Sequence, residues 1–185
     1  HLAVFIKLRV PARNARILVW TTTPWTLAAN AALAVNPDLD YVEVELEGED
    51  LPVIIGKQAL EHWKRKKSRI LKTFKGSELL DLEYEPIISE LPAQQDFRHR
   101  IVAWKEVDAL EGTGVVHIAP GCGREDFDLS KEIEIKRICP IDEKGDYIPG
   151  YGWLEGRNAK DVAEDVASYL EKQGKLLTKY MHEHS

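Results

Sequence analysis

Apolar and polar residues alternate along much of this chain with a period of two. The segment YVEVEL (41–46) places Val42, Val44 and Leu46 on one side and its acids on the other, the mark of a half-buried strand. Runs rich in β-branched and aromatic residues predict further strands at 2–10, 16–23, 51–56, 68–74, 99–104, 113–120 and 136–141. A Pro/Arg/Asn turn joins the first two. Helical spacing is rarer. KQALEHWKRK (57–66) fits an amphipathic helix. NAKDVAEDVASYLEKQG (158–174) fits better, with Ala159, Val162, Ala163, Val166, Ala167 and Leu170 on one face. Asn158 can cap that helix and Gly174 can end it. No internal repeat or low-complexity segment interrupts the pattern. Many short strands with few helices predict a mainly β, α+β fold, built as a barrel or a strongly bent sheet.

The length of 185 residues suits one domain with a real core. With 44% hydrophobic and 30% charged residues, the chain reads as globular and soluble. No apolar run reaches the roughly 20 residues of a membrane helix. The first residues, HLAVFIKLRV, lack a starting Met and the pattern of a signal peptide, and read as entry to a strand; the chain is expected to be a piece of a longer protein. Two cysteines, Cys122 and Cys139, form no disulfide framework and fit a reduced, cytoplasmic setting. The net charge of −6 gives no global attraction for nucleic acid. Locally, Lys64, Arg65, Lys66, Lys67, Arg69, Lys72 and Lys75 form a basic stretch. It can be a charge-guarded edge strand or a phosphate-contacting patch.

Two junctions carry candidate chemistry. In VWTTTPWTLAAN (19–30), a strand should stop at Pro24, which cannot donate to a ladder. Alternation puts Thr21 and Thr23 on one face and Trp20 and Thr22 on the other. Thr23 followed by Pro24 is also a helix start, with Thr at the cap and Pro at the first helical position. The residues alone leave two readings open: ordinary strand threonines with one cap, or hydroxyls gathered at a helix start that can meet an anion. GTGVVHIAPGCGREDFDL (112–129) repeats the form: strand, glycine loop, helix start. His117 can be a buried core histidine, and Glu125 and Asp126 can simply favour a helix N-terminus. No G-x-S-x-G elbow, phosphate loop or dinucleotide fingerprint is present. Cys122, Cys139 and His117 match no common zinc spacing, and the tail histidines His182 and His184 suggest a strand rather than a metal site.

Taken together, WTTTPWTLAAN and GTGVVHIAPGCGREDF resemble the editing (CP1) domain of isoleucyl-tRNA synthetases, over essentially the whole chain (1–185). The valyl and leucyl editing domains carry a strip closer to T-T-R-P-[ED]-T. The resemblance implies a distorted β-barrel with peripheral helices, inserted in a larger synthetase. It implies hydrolysis of valine wrongly attached to tRNA(Ile), the isoleucine–valine pair being the standard example of a difference too small for one pocket to reject. It assigns Asp126 to the substrate α-ammonium. Thr21, Thr22 and Thr23 fall on the strip that meets the terminal adenosine and shapes the amino-acid pocket, with Thr22 and Thr23 placed beside the reacting ester. Trp25 and His117 fall on the pocket wall, and Asn30 on a further polar position. Water, placed by these groups and a free tRNA hydroxyl, is the nucleophile. No cofactor or metal is implied in this domain. ATP and Mg would serve a separate catalytic body, and the partners are the 3′ end of tRNA(Ile) and the rest of the synthetase, with no membrane. The chain departs from the family at Ala28, usually Pro, and at Cys122, often His. Competing expectations are editing of another aliphatic aminoacyl-tRNA and a tRNA-binding module without chemistry.

Overall fold

A computed structural model describes residues 1–63 and 67–183. The chain opens with a long hairpin. Strand β1 (Leu2–Val10) pairs antiparallel with β2 (Ala15–Thr21), in a register running from Val4 opposite Thr21 to Val10 opposite Ala15. The turn between them is a 3-10 helix at Pro11–Arg13, closed by Asn14 in the left-handed region at φ 49°. Asn tolerates that conformation better than a branched residue does. A second 3-10 helix, Pro24–Ala29, then leads into β3 (Ala32–Val35). Next come β4 (Asp40–Leu46), β5 (Val53–Gly56), α1 (Lys57–His62) and β6 (Ser68–Lys75). The second half supplies β7 (Arg100–Ala103), β8 (Val115–Ile118), α2 (Arg124–Glu132), α3 (Ala163–Lys172) and β9 (Leu176–Met181).

The strands form two sheets. The larger has the order β6-β4-β5-β2-β1-β9, antiparallel except where β2 meets β5. The smaller has the order β7-β3-β8, with β3 parallel to β7 and antiparallel to β8. A distorted barrel or a strongly bent sheet was expected; among the described residues the strands form two sheets that do not close into one barrel. β6 and β9 remain edges of the large sheet, and β7 and β8 edges of the small one. The chain crosses between sheets through Pro24–Ala29, so the threonine strip sits where they meet.

Other expectations need adjustment. Strand β2 ends at Thr21, before the predicted limit of 23. The segment 136–141 forms no strand; only Ile141 makes an isolated bridge, to Tyr147. Strand β3 was not predicted, because ALAV is small and buried on both faces and so shows no alternation. Strand β9 likewise escapes the pattern; it ends at Met181, and just beyond it the backbone N–H of His182 meets the His1 carbonyl at 2.6 Å. The predicted helix at 158–174 is split into a 3-10 turn at Ala159–Asp161 and α3. Asn158 caps the turn as expected, its side chain accepting from the Lys160 N–H. The basic stretch falls partly at Lys64, Arg65 and Lys66, outside the described residues, as does His184. Within β6, Arg69 pairs with Glu45 and Lys75 with Asp40, each at 2.9 Å across the strand from β4. Exposed pairs of this kind add little stability, and they fit a guarded edge.

Tyr41 ties the large sheet to the loop before β8. Fully buried, its hydroxyl donates to the Gly114 carbonyl at 2.6 Å and accepts the Asn36 N–H at 3.0 Å. Burial pushes this phenol up to about 12. Beside it, Gly56 N–H donates to the Thr113 carbonyl at 2.8 Å, and Thr113 Oγ1 donates to the Leu18 carbonyl at 2.7 Å. These bonds fix the start of β8 against the large sheet. The contact leaves no room at Gly76, where an added Cβ would lie 2.2 Å from the Asn36 carbonyl oxygen and 2.8 Å from the Tyr41 ring. Gly76→Ala is expected to cost about 1–3 kcal/mol through overpacking, read as a lower urea midpoint with the unfolding slope kept.

Candidate functional site

The two junctions converge on one cavity of about 290 Å³. One wall is the strip Trp20 to Thr23 with Trp25 and Thr26; the other carries Val115 to His117, Ala119 and Cys122, with Gly123 and Asp126 at the start of α2. Thr21 and Thr23 share a face as the alternation predicts, their hydroxyl oxygens 3.2 Å apart. Thr21 is buried, Thr22 half-buried and Thr23 exposed. Thr23 also occupies the cap position before Pro24, but its side chain makes no cap bond. The local bonding runs the other way. Thr26 Oγ1 donates to the Thr23 carbonyl at 2.9 Å, and the Thr23 N–H donates to Thr21 Oγ1 at 3.1 Å. Gly112 lines the cavity against Trp20. At φ 58° it adopts a backbone conformation open to glycine, and a Cβ there would lie 2.9 Å from the indole.

His117 is the centre of a buried network. Its Nδ1 lies 2.8 Å from Asn30 Nδ2, and its Nε2 lies 2.8 Å from Thr26 Oγ1. Asn30 Nδ2 also donates to the Ala32 carbonyl at 3.0 Å, while Asn30 Oδ1 accepts from the Tyr84 hydroxyl at 2.5 Å. The carboxamide orientation follows, because reversing it would set two acceptors against each other at Ala32. Nδ1 is then the acceptor and Nε2 carries the proton. Burial lowers the imidazole to about 4, so it is neutral near pH 7. With both nitrogens engaged, His117 is a wall of the cavity and has no free lone pair to act as a base.

Asp126 stands on the opposite side. Its Oδ2 accepts the Ala119 N–H at 2.8 Å. Burial raises this carboxyl, the Ala119 N–H opposes that, and neighbouring Glu125 adds to the rise. A carboxylate pushed up by desolvation gains most from a cationic partner. Cys122 lies close by, its thiol pushed up to about 12 chiefly by burial, so it is held as an uncharged thiol. Next to the cavity runs an acidic groove of about 590 Å³ lined by Glu106, Asp108, Glu125 and Asp128, which shares Glu111, Val116 and Asp126 with the cavity.

The structure therefore brings Thr21, Thr22, Thr23, Trp25, His117 and Asp126 to one cavity. Asn30 does not line it; this residue is fully buried behind His117. Ala28 is also buried, with its carbonyl taken by Gln94 Nε2 at 2.9 Å. Sequence reasoning missed Thr26 and Tyr84. A hydroxyl three residues after a capping threonine is a signal that could have found Thr26. Tyr84 offers no local signal. Among the described residues, no group of three His, Cys, Asp or Glu side chains is placed to hold a metal ion. No helix among them is long and apolar enough to cross a membrane.

No protein-family model matches the chain. It is similar to the isoleucine–tRNA ligase of Methanothermobacter thermautotrophicus, 41% identical over 176 residues that cover 95% of this chain and 17% of that protein. Isoleucine–tRNA ligase 2 of Bacillus cereus is 36% identical over 186 residues, covering 100% of this chain and 18% of that protein. The chain thus spans under a fifth of the length of these curated relatives. Among solved structures, it is similar in fold to the leucyl-tRNA synthetase domain GlLeuRS-CP1, with a TM-score of 0.76 at 14% identity, covering 97% of this chain and 100% of that one. The P. knowlesi cytosolic leucyl-tRNA synthetase editing domain gives 0.68 at 12% identity, covering 98% and 97%.

The buried histidines set a pH dependence. Desolvation lowers both His99 and His117 from 6.5 to about 4 in the folded chain. Between those values the unfolded chain binds more protons. Stability is therefore present above pH 6.5 and is lost as pH falls toward 4, with a slope of about 1.4 kcal/mol per pH unit for each histidine. Asp126, raised by burial, pulls the opposite way. Urea midpoints measured at pH 7, 6 and 5 are expected to decrease in that order, and a flat series would contradict the buried neutral assignment.

Proposed function

We propose that this chain, which belongs with the editing (CP1) domains of isoleucyl-tRNA synthetases, removes valine from mischarged tRNA(Ile) by hydrolysis. The observation that carries this reading is that the threonine strip, His117 and Asp126 face one small cavity. In this reading Asp126 binds the α-ammonium of the aminoacyl ester. The pair is charge-assisted, and desolvation strengthens it. Thr21, Thr22 and Thr23 supply hydroxyls that both donate and accept, as a ribose, an ester carbonyl and a water require. Trp25 and His117 bound the side-chain space. Their rigid walls admit valine and leave no room for one more methylene. A water held by the strip and by a free ribose hydroxyl attacks the ester carbonyl, and the ribose oxygen leaves. The protein forms no covalent intermediate. His117 acts as a wall, since its ring has no free acceptor.

The rest of the synthetase is a partner in this reading. Its catalytic body would use ATP and Mg to attach isoleucine, and the tRNA 3′ end would move from there to this cavity. The setting is the cytoplasm, with no membrane involved. Full-length enzyme is expected to hydrolyse Val-tRNA(Ile) far faster than Ile-tRNA(Ile); equal rates on both esters would sink the sieve. Asp126→Asn keeps an acceptor for the Ala119 N–H but loses the charge. It is expected to lower kcat/KM for the valyl ester about 10- to 100-fold, the worth of a charge-assisted bond, with the unfolding midpoint nearly unchanged. Full activity in that variant would remove Asp126 from substrate binding, whereas wild-type enzyme that cleaved neither ester would make a binding module without chemistry the better description.

A further inference from the structure

We propose that Tyr84, which has no atom on the cavity surface, is a positioning residue for amino-acid discrimination, acting through Asn30 on His117. This rests on the editing reading above. Asn30 is the link. Both of its amide protons are committed, one to the Ala32 carbonyl and one to His117 Nδ1, and its carbonyl oxygen takes the Tyr84 proton. The chain of donors has one direction. Tyr84 O–H donates to Asn30, Asn30 N–H to His117 Nδ1, His117 Nε2–H to Thr26 Oγ1, and Thr26 O–H to the Thr23 carbonyl. This direction commits the Thr26 proton to the backbone. Thr23 Oγ1 lies 3.2 Å from both Thr21 Oγ1 and Thr26 Oγ1, so its proton can turn to either neighbour or to the substrate.

Tyr84 is itself held firmly. Its N–H donates to the His99 carbonyl at 3.0 Å, and the segment that follows is pinned by buried Lys175, which donates to the Pro86 and Ile87 carbonyls at 2.8 and 3.1 Å. Without the Tyr84 hydroxyl, Asn30 Oδ1 is a buried acceptor with no donor. Apart from the imidazole itself, the carboxamide is then held by the Ala32 carbonyl alone. The ring can take the other tautomer or tilt, and the wall that excludes the extra methylene loosens.

Tyr84→Phe keeps the ring and deletes the donor. Two measurements test it. In the 185-residue chain labelled with 15N-histidine, wild-type His117 is expected as a single Nε2–H tautomer, and Tyr84→Phe as a mixture of tautomers. An Nδ1–H ring in the wild type would overturn the proposal with no variant needed, as would an unchanged tautomer in Tyr84→Phe. In the full-length synthetase, the preference for valyl over isoleucyl ester is expected to narrow about tenfold, mainly through a higher kcat/KM for the isoleucyl ester; tenfold is the low end of what one methylene is worth in a pocket. An unchanged preference beside an altered tautomer would overturn the discrimination role. Wild-type enzyme that cleaved neither ester would instead remove the editing reading, while the tautomer result would still decide whether Tyr84 positions His117.

Discussion

His117 carries one hydrogen bond on each ring nitrogen, and both partners come from the segment that follows β2. That arrangement holds the two sheets together where the cavity lies. β8 belongs to the small sheet; Thr26 and Asn30 sit on the crossover from the large sheet to β3. The antiparallel pairing of β3 with β8 places Leu33 opposite His117, so the crossover residues fold back beside the ring. A neutral imidazole can accept on one edge and donate on the other without placing a charge in so dry a place. A cation there would confront the Asn30 amide protons and lose the bond.

The rest of the site follows from this lock. With the histidine uncharged and satisfied, the charges that line the cavity are the half-buried Asp126 and the exposed Glu111. The Thr26 proton has a defined direction because each proton upstream is committed. The cavity thus presents the carboxylates of Asp126 and Glu111, aromatic walls and a short strip of hydroxyls. The glycine at 112 lets the β8 loop press against Trp20, and Tyr41 holds that loop from the other side. Packing of the two sheets and shape of the cavity are therefore one problem, since the same bonds solve both.

Much of this was legible in the chain. Strands β1, β2, β4 and β6 alternate or carry β-branched runs, and the cap at Asn158 follows a local rule. The site became legible only when the two junctions were taken together, because Thr21 to Thr23 and His117 each also fit an ordinary structural role. What escaped the sequence was long-range. Tyr84 lies 54 residues from Asn30 along the chain, and nothing near it in sequence announces the bond. Strand β3 is alanine-rich and buried on both faces, so periodicity is silent there. The segment 136–141 reads as strand by composition, yet Pro140 withholds a ladder donor and its neighbours bond to loops. Strand content predicted the sheet-rich α+β fold, but it does not reveal whether sheet edges meet in a closed barrel.

The acidic groove beside the cavity has a consequence for anything polyanionic that approaches. Glu106, Asp108, Glu111, Glu125 and Asp128 surround one side of the mouth, on a chain whose net charge is already −6. A phosphate chain is pushed off that bank, more weakly as salt rises. The groove therefore acts on such a chain by exclusion and not by attraction.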